Sequence, residues 1–213
     1  MSVLIKTEIL ELIKQGKLSF TPGLDKWQVQ PHSIDLRLGF TFLVPKLWVM
    51  THKGREGVHV DHLTLKEGNN RYFDVVELEE GQYFELLPRE HVVVVSLEKI
   101  KMSVGYMAVL YPRSSVNRRG LSVDLSGLID AGYEGRLLVP VRNNTTSQVI
   151  RLYPGERFCQ LVFEELNDMV TKTNGRYHKK DAVVGVLREK SSREENLVRK
   201  GRIKELKKLF QLG

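Results

Sequence analysis

The sequence is short of the residues that define several common classes of protein. It has one cysteine, Cys159, among 213 residues, which excludes an internal disulfide framework and a zinc site built from several cysteines. Cys159 lies in an apolar run, so we expect a buried, unreactive thiol. No apolar run approaches the roughly 20 residues of a membrane-spanning helix, and the first residues lack the apolar core of a signal peptide. We therefore expect a cytoplasmic protein with no membrane partner.

The formal net charge of +7 comes from one part of the chain. Residues 170–213 carry 13 Lys/Arg and 5 Asp/Glu, whereas the other residues carry 20 and 21. The basic character therefore belongs to a C-terminal tail and not to the body. This distribution does not favour a nucleic-acid partner, because the body has no basic excess. We predict a β domain over residues 1–169 and a basic, partly helical tail over residues 170–213.

The body has the sequence pattern of an all-β protein. Short apolar runs recur about every ten residues from Tyr72 onward, separated by turn signals such as Asn143-Asn144 and Pro154-Gly155. This spacing is typical of a β-sandwich or barrel and not of alternating strands and helices. Residues 33–39 alternate apolar and polar, which predicts a half-buried strand with Asp35 on its polar face. Further strands are predicted over residues 72–78, 82–86, 91–97, 105–110, 121–125, 136–142, 148–152 and 158–165.

Helical patterns occur near the two ends of the sequence. Residues 7–15 have the spacing of a short amphipathic helix, with Thr7 as its predicted N-cap. Residues 193–212 are also predicted to be helix-rich, and we expect them to dock on the body or a neighbour, with a nucleic-acid or anionic surface as the alternative. Residues 52–70 show no period and are predicted to form a long loop. The predicted apolar face of the first helix comprises Ile9, Leu10, Leu12 and Ile13.

The stretch from Tyr111 to Gly135 concentrates residues suited to chemistry. The turn Arg113-Ser114-Ser115 offers a guanidinium, hydroxyls and backbone N–H groups, which together can hold a phosphate without a glycine-rich loop. Asp130 ends an apolar run, where a carboxylate could be partly desolvated and aimed as a general base. Tyr133 follows in a glycine-bounded turn and could present its ring face to a sugar or a base. The alternative is a hairpin with a turn aspartate and a structural tyrosine.

Four stretches of the sequence, in order, resemble the motifs of the dUTPase and dCTP deaminase superfamily. They are QPHSIDL at 30–36, PRSS at 112–115, GLIDAGYEG at 127–135 and PGERFCQL at 154–161. The resemblance implies a mostly antiparallel, distorted β-barrel or jelly-roll subunit. It also implies a homotrimer with active sites between subunits, and a deoxynucleoside triphosphate as substrate, either dUTP or dCTP.

The resemblance also implies roles for individual residues. Asp130 would activate the attacking water, and Asp35 would help to place a Mg²⁺-bound triphosphate through water. Tyr133 would lie against the deoxyribose, where a 2′-hydroxyl would clash. The other implied substrate contacts are made by Arg113 and Ser114 at the phosphates, Ser115 and Arg118 further along the site, Gln160 as a brace, and Tyr177 over the phosphates.

The two chemistries of the superfamily differ at one position. The deaminases need a glutamate ten residues after the motif aspartate, and counting from Asp130 reaches Pro140. Proline has no titratable group, and it also predicts an edge or bulge position in its strand. Zinc-type deamination is excluded because its Pro-Cys-x-x-Cys run is absent. The sequence therefore favours Mg²⁺-dependent hydrolysis of dUTP to dUMP and diphosphate.

Two alternatives stay open at this point. The first is a dCTP deaminase or a bifunctional deaminase–diphosphatase, because residues 167–213 resemble the extended tail of the deaminases and lack the glycine-rich arm of ordinary trimeric dUTPases. The second is a non-catalytic nucleotide- or nucleic-acid-binding trimer that uses the basic tail.

Overall fold

The computed structural model describes residues 2–60, 72–124, 127–168 and 192–211. These residues form two compact units, one of residues 2–45, 73–124 and 127–168 and one of residues 46–60, 72 and 192–211. The predicted boundary between β domain and tail falls outside the described residues, and so does Tyr177. No helix in the described ranges has the length and apolar character needed to cross a membrane.

Strands dominate the first unit, and the four helices among the described residues are short. The strands are β1 (Ser2–Val3), β2 (Leu18–Thr21), β3 (Ile34–Pro45), β4 (Trp48–Thr51), β5 (Gly54–Gly57), β6 (Phe73–Glu77), β7 (Phe84–Leu86), β8 (His91–Met102), β9 (Tyr106–Pro112), β10 (Leu121–Val123), β11 (Leu128–Ile129), β12 (Glu134–Asn143), β13 (Ile150–Leu152) and β14 (Arg157–Glu165). The helices are α1 (Lys6–Lys14), α2 (Ser114–Asn117), α3 (Ser192–Arg199) and α4 (Ile203–Leu209).

The described part of the first unit is built around one antiparallel sheet. Its strands follow the order β10-β12-β8-β3-β14-β9-β11, with β1 paired to β14, β2 to β8 and β6 to β3. Register shifts between Leu38 and Phe42 of β3, and between Arg136 and Leu138 of β12, interrupt the ladders. Such irregularities bend the long strands, so the sheet curls around its apolar face. The predicted all-β, mainly antiparallel fold is confirmed.

The core follows the alternation of the strands in this sheet. Every second residue of β12 is buried over most of its length, and β8 buries Val92, Val94 and Ile100. Cys159 of β14 is buried among them, and burial raises the pKa of its thiol well above the ordinary value. The prediction of a buried cysteine is confirmed.

The sequence located the strands better than the first helix. Each strand predicted between residues 72 and 165 overlaps an observed strand. Helix α1 begins at Lys6 and not after Thr7, because the Glu8 carboxylate accepts the Ile5 N–H at 2.8 Å and satisfies the first turn. Leu10 does not belong to its buried face, since only Ile9 and Leu12 of this helix are buried.

The second unit corrects one prediction and confirms another. Strands β4 and β5 pair as a hairpin, so the predicted loop over residues 52–70 is wrong at residues 54–57, and residues 61–70 lie outside the described ranges. Helices α3 and α4 confirm the helix-rich C-terminal region. Gly201 separates them with a φ of 68°, a conformation that favours glycine.

Gly39 marks the closest approach between the two longest strands. It lies in the bulged part of β3, and a Cβ placed there would meet the Val95 carbonyl oxygen of β8 at 2.7 Å. A backbone atom cannot move aside as a flexible side chain can. The bend in β3 therefore requires glycine at this position.

We predict that Gly39→Ala destabilises the fold by about 1–3 kcal/mol through overpacking. Urea unfolding followed by tryptophan fluorescence measures the change. Gly105→Ala is the matched control, because no heavy atom lies within 4 Å of its added Cβ and its φ is not in the left-handed region. Equal unfolding midpoints for the two variants would contradict the prediction.

Candidate nucleotide site

A buried carboxylate on β3 joins two arginines from other strands. Asp35 is 2% exposed, and its Oδ2 lies 3.0 Å from Nε of Arg113 and 3.1 Å from Nη1 of Arg157. Arg113 directly follows β9, and Arg157 begins β14. Because β14 pairs with both β3 and β9, the three side chains converge at one place on the sheet.

The charges at this site stabilise one another. Burial raises the pKa of the Asp35 carboxyl, while the guanidinium groups of Arg113 and Arg157 act in the opposite direction. We infer that the group is ionised, because both cations contact the same carboxylate oxygen at hydrogen-bonding distance. Each arginine side chain is still 26% exposed. The cluster therefore offers fixed positive charge at the surface, which suits a bound anion.

The structure corrects the predicted environment of Asp35. The sequence placed it on the polar face of a half-buried strand, but Ile34, Asp35 and Leu36 are all buried. The alternation fails here because the ion pairs with two arginines offset the cost of burying the carboxylate. Sequence periodicity contains no information about such partners.

The donor set bears on the predicted magnesium ion. Within the described residues, no group of three or more His, Cys, Asp or Glu side chains could hold a metal. Mg²⁺ usually takes one or two protein carboxylates together with substrate phosphates. The residues therefore fit an ion that arrives with a triphosphate better than a resident metal. The water-mediated role of Asp35 stays a prediction.

Helix α2 adds further predicted residues beside the arginines. Arg113 is its N-cap and has an extended backbone, so the chain turns sharply into the helix. Ser114 is exposed and Ser115 is half-buried on the first turn. Arg118 is exposed, and its Nη2 lies 3.4 Å from Ser114 Oγ. The structure thus brings the predicted phosphate-binding residues of this turn together on one surface.

Gln160 links the strands behind this turn. In the ladder it lies opposite Asp35 of β3 and Tyr111 of β9. Its amide nitrogen donates to the Pro112 carbonyl at 3.4 Å, and its amide oxygen accepts from the Ser33 hydroxyl at 3.3 Å. These contacts fit the predicted bracing role. Ser33 was not recognised as part of the site.

Asp130 lies elsewhere in the chain. It follows β11, where Ile129 pairs with Ala108 of β9. From Ala108 to Arg113 the strand advances by roughly 15–20 Å at about 3.3 Å per residue. Asp130 is also exposed, so the expected partial desolvation is absent in the single chain, because the two-residue β11 pairs only with β9 at the end of the sheet. One chain does not bring Asp130 to the arginine cluster.

The Tyr133 side chain is fixed in place by contacts within its own chain. Its hydroxyl donates to the Arg136 carbonyl at 2.8 Å, and its ring packs over Gly135, where a Cβ would lie 2.8 Å from the hydroxyl oxygen. Burial raises the pKa of Tyr133 to about 12. Gly135 is thus needed for the ring to lie there. The sugar-contacting role of Tyr133 stays a prediction.

Pro140 occupies an interior strand, contrary to the expectation of an edge or bulge. Strand β12 lies between β10 and β8, and its bulge falls earlier, at residues 136–138. Pro140 accepts the Asp124 N–H at 3.0 Å. In an antiparallel strand, the N–H and C=O of one residue point towards the same neighbouring strand. The carbonyl of Pro140 points towards the end of β10, so the position where another residue would have its N–H also faces the end of β10. Its neighbours Val139 and Val141 are buried, so Pro140 lies on the face away from the core.

Sequence analysis identified most residues of this surface but did not identify Arg157, one of the two arginines that contact Asp35. Arg157 lies inside the fourth motif, and a basic residue at the start of an apolar strand is the signal that could have identified it. Gln28 and Glu98, which lie behind Asp35, gave no signal, because their partners are far away in the sequence.

Comparisons with known proteins agree with this architecture. A family model described as dCTP deaminase-like matches residues 3–166. A curated dCTP deaminase, dUMP-forming, from Sulfurihydrogenibium sp. is 35% identical over 170 residues, which are 79% of this chain and 87% of that protein. The protein of the same name from Methanobrevibacter smithii is 29% identical over 196 residues, or 91% of this chain and 95% of that protein.

A solved structure gives the same result. The 2′-deoxycytidine 5′-triphosphate deaminase from Agrobacterium tumefaciens superposes with a TM-score of 0.57 and 25% identity, covering 76% of this chain and 48% of that chain. The chain therefore spans about half the length of that protein. The resemblance drawn from the four motifs is confirmed, and the chain belongs to the dCTP deaminase-like family.

We predict that Asp35→Asn strongly destabilises the fold. Breaking a buried ion pair by removing one partner costs about 3–5 kcal/mol of the free energy of unfolding. Because the two arginines are partly exposed, we expect a loss at or below the lower end of this range. Asp25→Asn is the matched control, because Asp25 pairs with Arg37 at 2.7 Å but its side chain is 44% exposed. That variant should lose less than about 1 kcal/mol in urea unfolding. A larger loss for the control would contradict the assignment.

Proposed function

We propose that this protein hydrolyses dUTP to dUMP and diphosphate. The observation that carries the proposal is the proline at position 140. The resemblance implies that a deaminase needs a glutamate there to move protons at the base. Proline cannot take or release a proton, and Glu134, the nearest acid along β12, forms an ion pair with Lys99 at 2.8 Å. The residues implied for phosphate hydrolysis are all present.

The names of the relatives agree with this choice of reaction. Two relatives are named dCTP deaminase, dUMP-forming. Formation of dUMP from dCTP requires both loss of the amino group and loss of two phosphates. Replacement of the proton-shuttling glutamate by Pro140 would remove the first step and leave the second.

The proposed mechanism assigns separate tasks to the two parts of the site. Arg113, Ser114 and Arg118 would bind and orient the triphosphate through charge-assisted hydrogen bonds. Asp130 would take a proton from a water molecule while the water oxygen attacks the α-phosphorus. The bond between the α-phosphorus and the oxygen that bridges to the β-phosphorus would break and release diphosphate. When bound, Mg²⁺ supplies neutralising charge to the triphosphate. Tyr133 would exclude a 2′-hydroxyl by contact with the deoxyribose.

The proposal includes a homotrimer whose sites lie between subunits. In one chain, Asp130 and Arg113 are separated by roughly 15–20 Å along β9. A water activated at Asp130 could not reach a phosphorus held at Arg113 in that arrangement. A neighbouring copy that contributes its Asp130 would complete the site, as closed cyclic symmetry permits.

A dCTP deaminase is the second candidate, because the relatives carry that name. We predict that the purified protein with Mg²⁺ converts dUTP to dUMP and leaves dCTP unchanged, because position 140 carries no proton shuttle. Incubation with each nucleotide separately, followed by ion-exchange chromatography, measures this. Conversion of dCTP to dUTP or dUMP would overturn the proposed function, and binding of dUTP without turnover would favour a non-catalytic nucleotide-binding protein.

We further predict that two inactive variants restore each other. Asp130→Asn should lose hydrolysis but still bind dUTP, and Arg113→Ala should lose binding. If a site combines Asp130 of one subunit with Arg113 of another, a randomly exchanged equimolar mixture of the two variants should recover about one quarter of the wild-type activity per subunit. The measurement is dUMP formation after the variants are mixed under conditions of subunit exchange. No recovery, despite exchange shown by mass spectrometry, would mean that one chain supplies both groups.

A further inference from the structure

A second buried carboxylate lies behind the arginine cluster. Glu98 of β8 is 1% exposed, and it belongs to neither the predicted site nor the apolar core. Its Oε1 accepts from Nε2 of Gln28 at 2.7 Å, and its Oε2 accepts the backbone N–H of Arg37 at 3.0 Å. Both partners lie in or beside the first motif, more than 60 residues away in the sequence.

The Glu98 carboxylate takes the place of a backbone hydrogen bond that is missing between β3 and β8. The ladder between β3 and β8 includes Leu38 opposite Ser96 but does not continue to Arg37. The Arg37 N–H, which would otherwise face β8 without a strand partner, instead bonds to the Glu98 side chain. Burial raises the pKa of Glu98, and these hydrogen bonds act in the opposite direction. The Glu98 side chain thus acts as a buried acceptor on β8 for the neighbouring strand β3, which carries Asp35.

Gln28 connects this acceptor to Asp35. Its side-chain amide donates to Glu98 and also to the Asp35 carbonyl at 3.0 Å. Its own carbonyl accepts the Asp35 N–H at 2.8 Å. Both backbone polar groups of Asp35 are therefore held by one residue, whose side chain is fixed by Glu98. The orientation of Asp35 in turn fixes the guanidinium groups of Arg113 and Arg157.

The polar contacts of Arg37 show that Glu98 is not simply its ion-pair partner. The Arg37 guanidinium donates to Asp25 at 2.7 Å and to the Gly155 carbonyl. Glu98 instead bonds a backbone N–H and a neutral amide. A buried carboxylate in these surroundings costs more to bury than a neutral side chain of the same size. Stability alone therefore does not account for a carboxylate at this position.

We infer that Glu98 is a positioning residue for triphosphate binding. Through its hydrogen bonds with Gln28 and the Arg37 N–H, it holds the backbone at Asp35. Asp35 in turn aligns the two arginines, so Glu98 also fixes their positions. The inference rests on the proposed function, since it concerns the same anion site. Glu98 does not touch the substrate. Its effect should be on substrate affinity and not on the chemical step.

Glu98→Gln tests this with little change in volume. The variant keeps one acceptor oxygen but presents an amide N–H₂ to the other donor, so the link to Gln28 or Arg37 weakens. We expect KM for dUTP to rise about tenfold, as for the loss of one hydrogen bond to a charged acceptor, while kcat changes less than about twofold. Calorimetric binding of inorganic tripolyphosphate should weaken by a similar factor and needs no turnover.

Two further variants provide the controls. Ser96→Ala removes another buried polar group of β8, which donates to the Glu98 carbonyl and accepts the Leu137 N–H, and neither of these hydrogen-bond partners lies in residues 25–37. It should lower stability without weakening tripolyphosphate binding. Arg113→Ala serves as the reference for loss of the anion site. Gln28→Met removes the hydrogen bond between Gln28 and Glu98 without a change in β8. This variant takes the place of Glu98→Gln if Glu98→Gln does not fold.

The outcomes separate this inference from the proposed function. Weaker tripolyphosphate binding in Glu98→Gln, with normal binding in Ser96→Ala, would support the positioning role. Normal binding in Glu98→Gln and Gln28→Met, with weak binding in Arg113→Ala, would overturn the inference and keep the anion site. Normal binding in all variants, including Arg113→Ala, would overturn the anion site at Arg113 and the inference with it, while turnover of dUTP by the wild-type protein tests the proposed function separately.

Discussion

The structure depends on one buried negative charge shared by two positive ones. Asp35 lies below the surface of the sheet, where an unpaired carboxylate would be very costly. Arg113 and Arg157 offset that cost, and each loses conformational freedom in doing so. Three of the four sequence motifs each supply one member of this cluster. The ion pairs at Asp35 therefore link these three motifs in the structure.

The sheet separates the functional groups by geometry. Strand β14 runs between β3 and β9 and gathers the residues suited to binding anions at one end. Strand β11 pairs with Ala108 and Val109 in the middle of β9, and Asp130 follows it at a distance from these residues. This arrangement holds Arg113 and Arg157 in place through Asp35, and in the proposed function another copy would supply Asp130. Assembly would then control catalysis directly.

Local sequence patterns predicted the strands well because burial alternates along them. The predictions failed where a distant partner decides the outcome. Asp35 is buried because two arginines reach it, Thr7 is not the N-cap because Glu8 satisfies the first turn, and Pro140 tolerates an interior strand because its side without an N–H faces the end of β10. The arginine cluster was largely predictable from the motifs. Glu98 was not, because a polar residue on a strand normally indicates exposure.

The lone thiol of the chain has a practical consequence. Cys159 is completely buried, directly precedes Gln160 and lies opposite Leu36 and Pro112 in the neighbouring strands. Oxidants and alkylating agents can reach its sulfur only when β14 separates from β3 or β9. The rate of thiol labelling therefore reports how often the sheet opens beside the arginine cluster, without an introduced cysteine. The same burial protects this strand from redox damage while the protein stays folded.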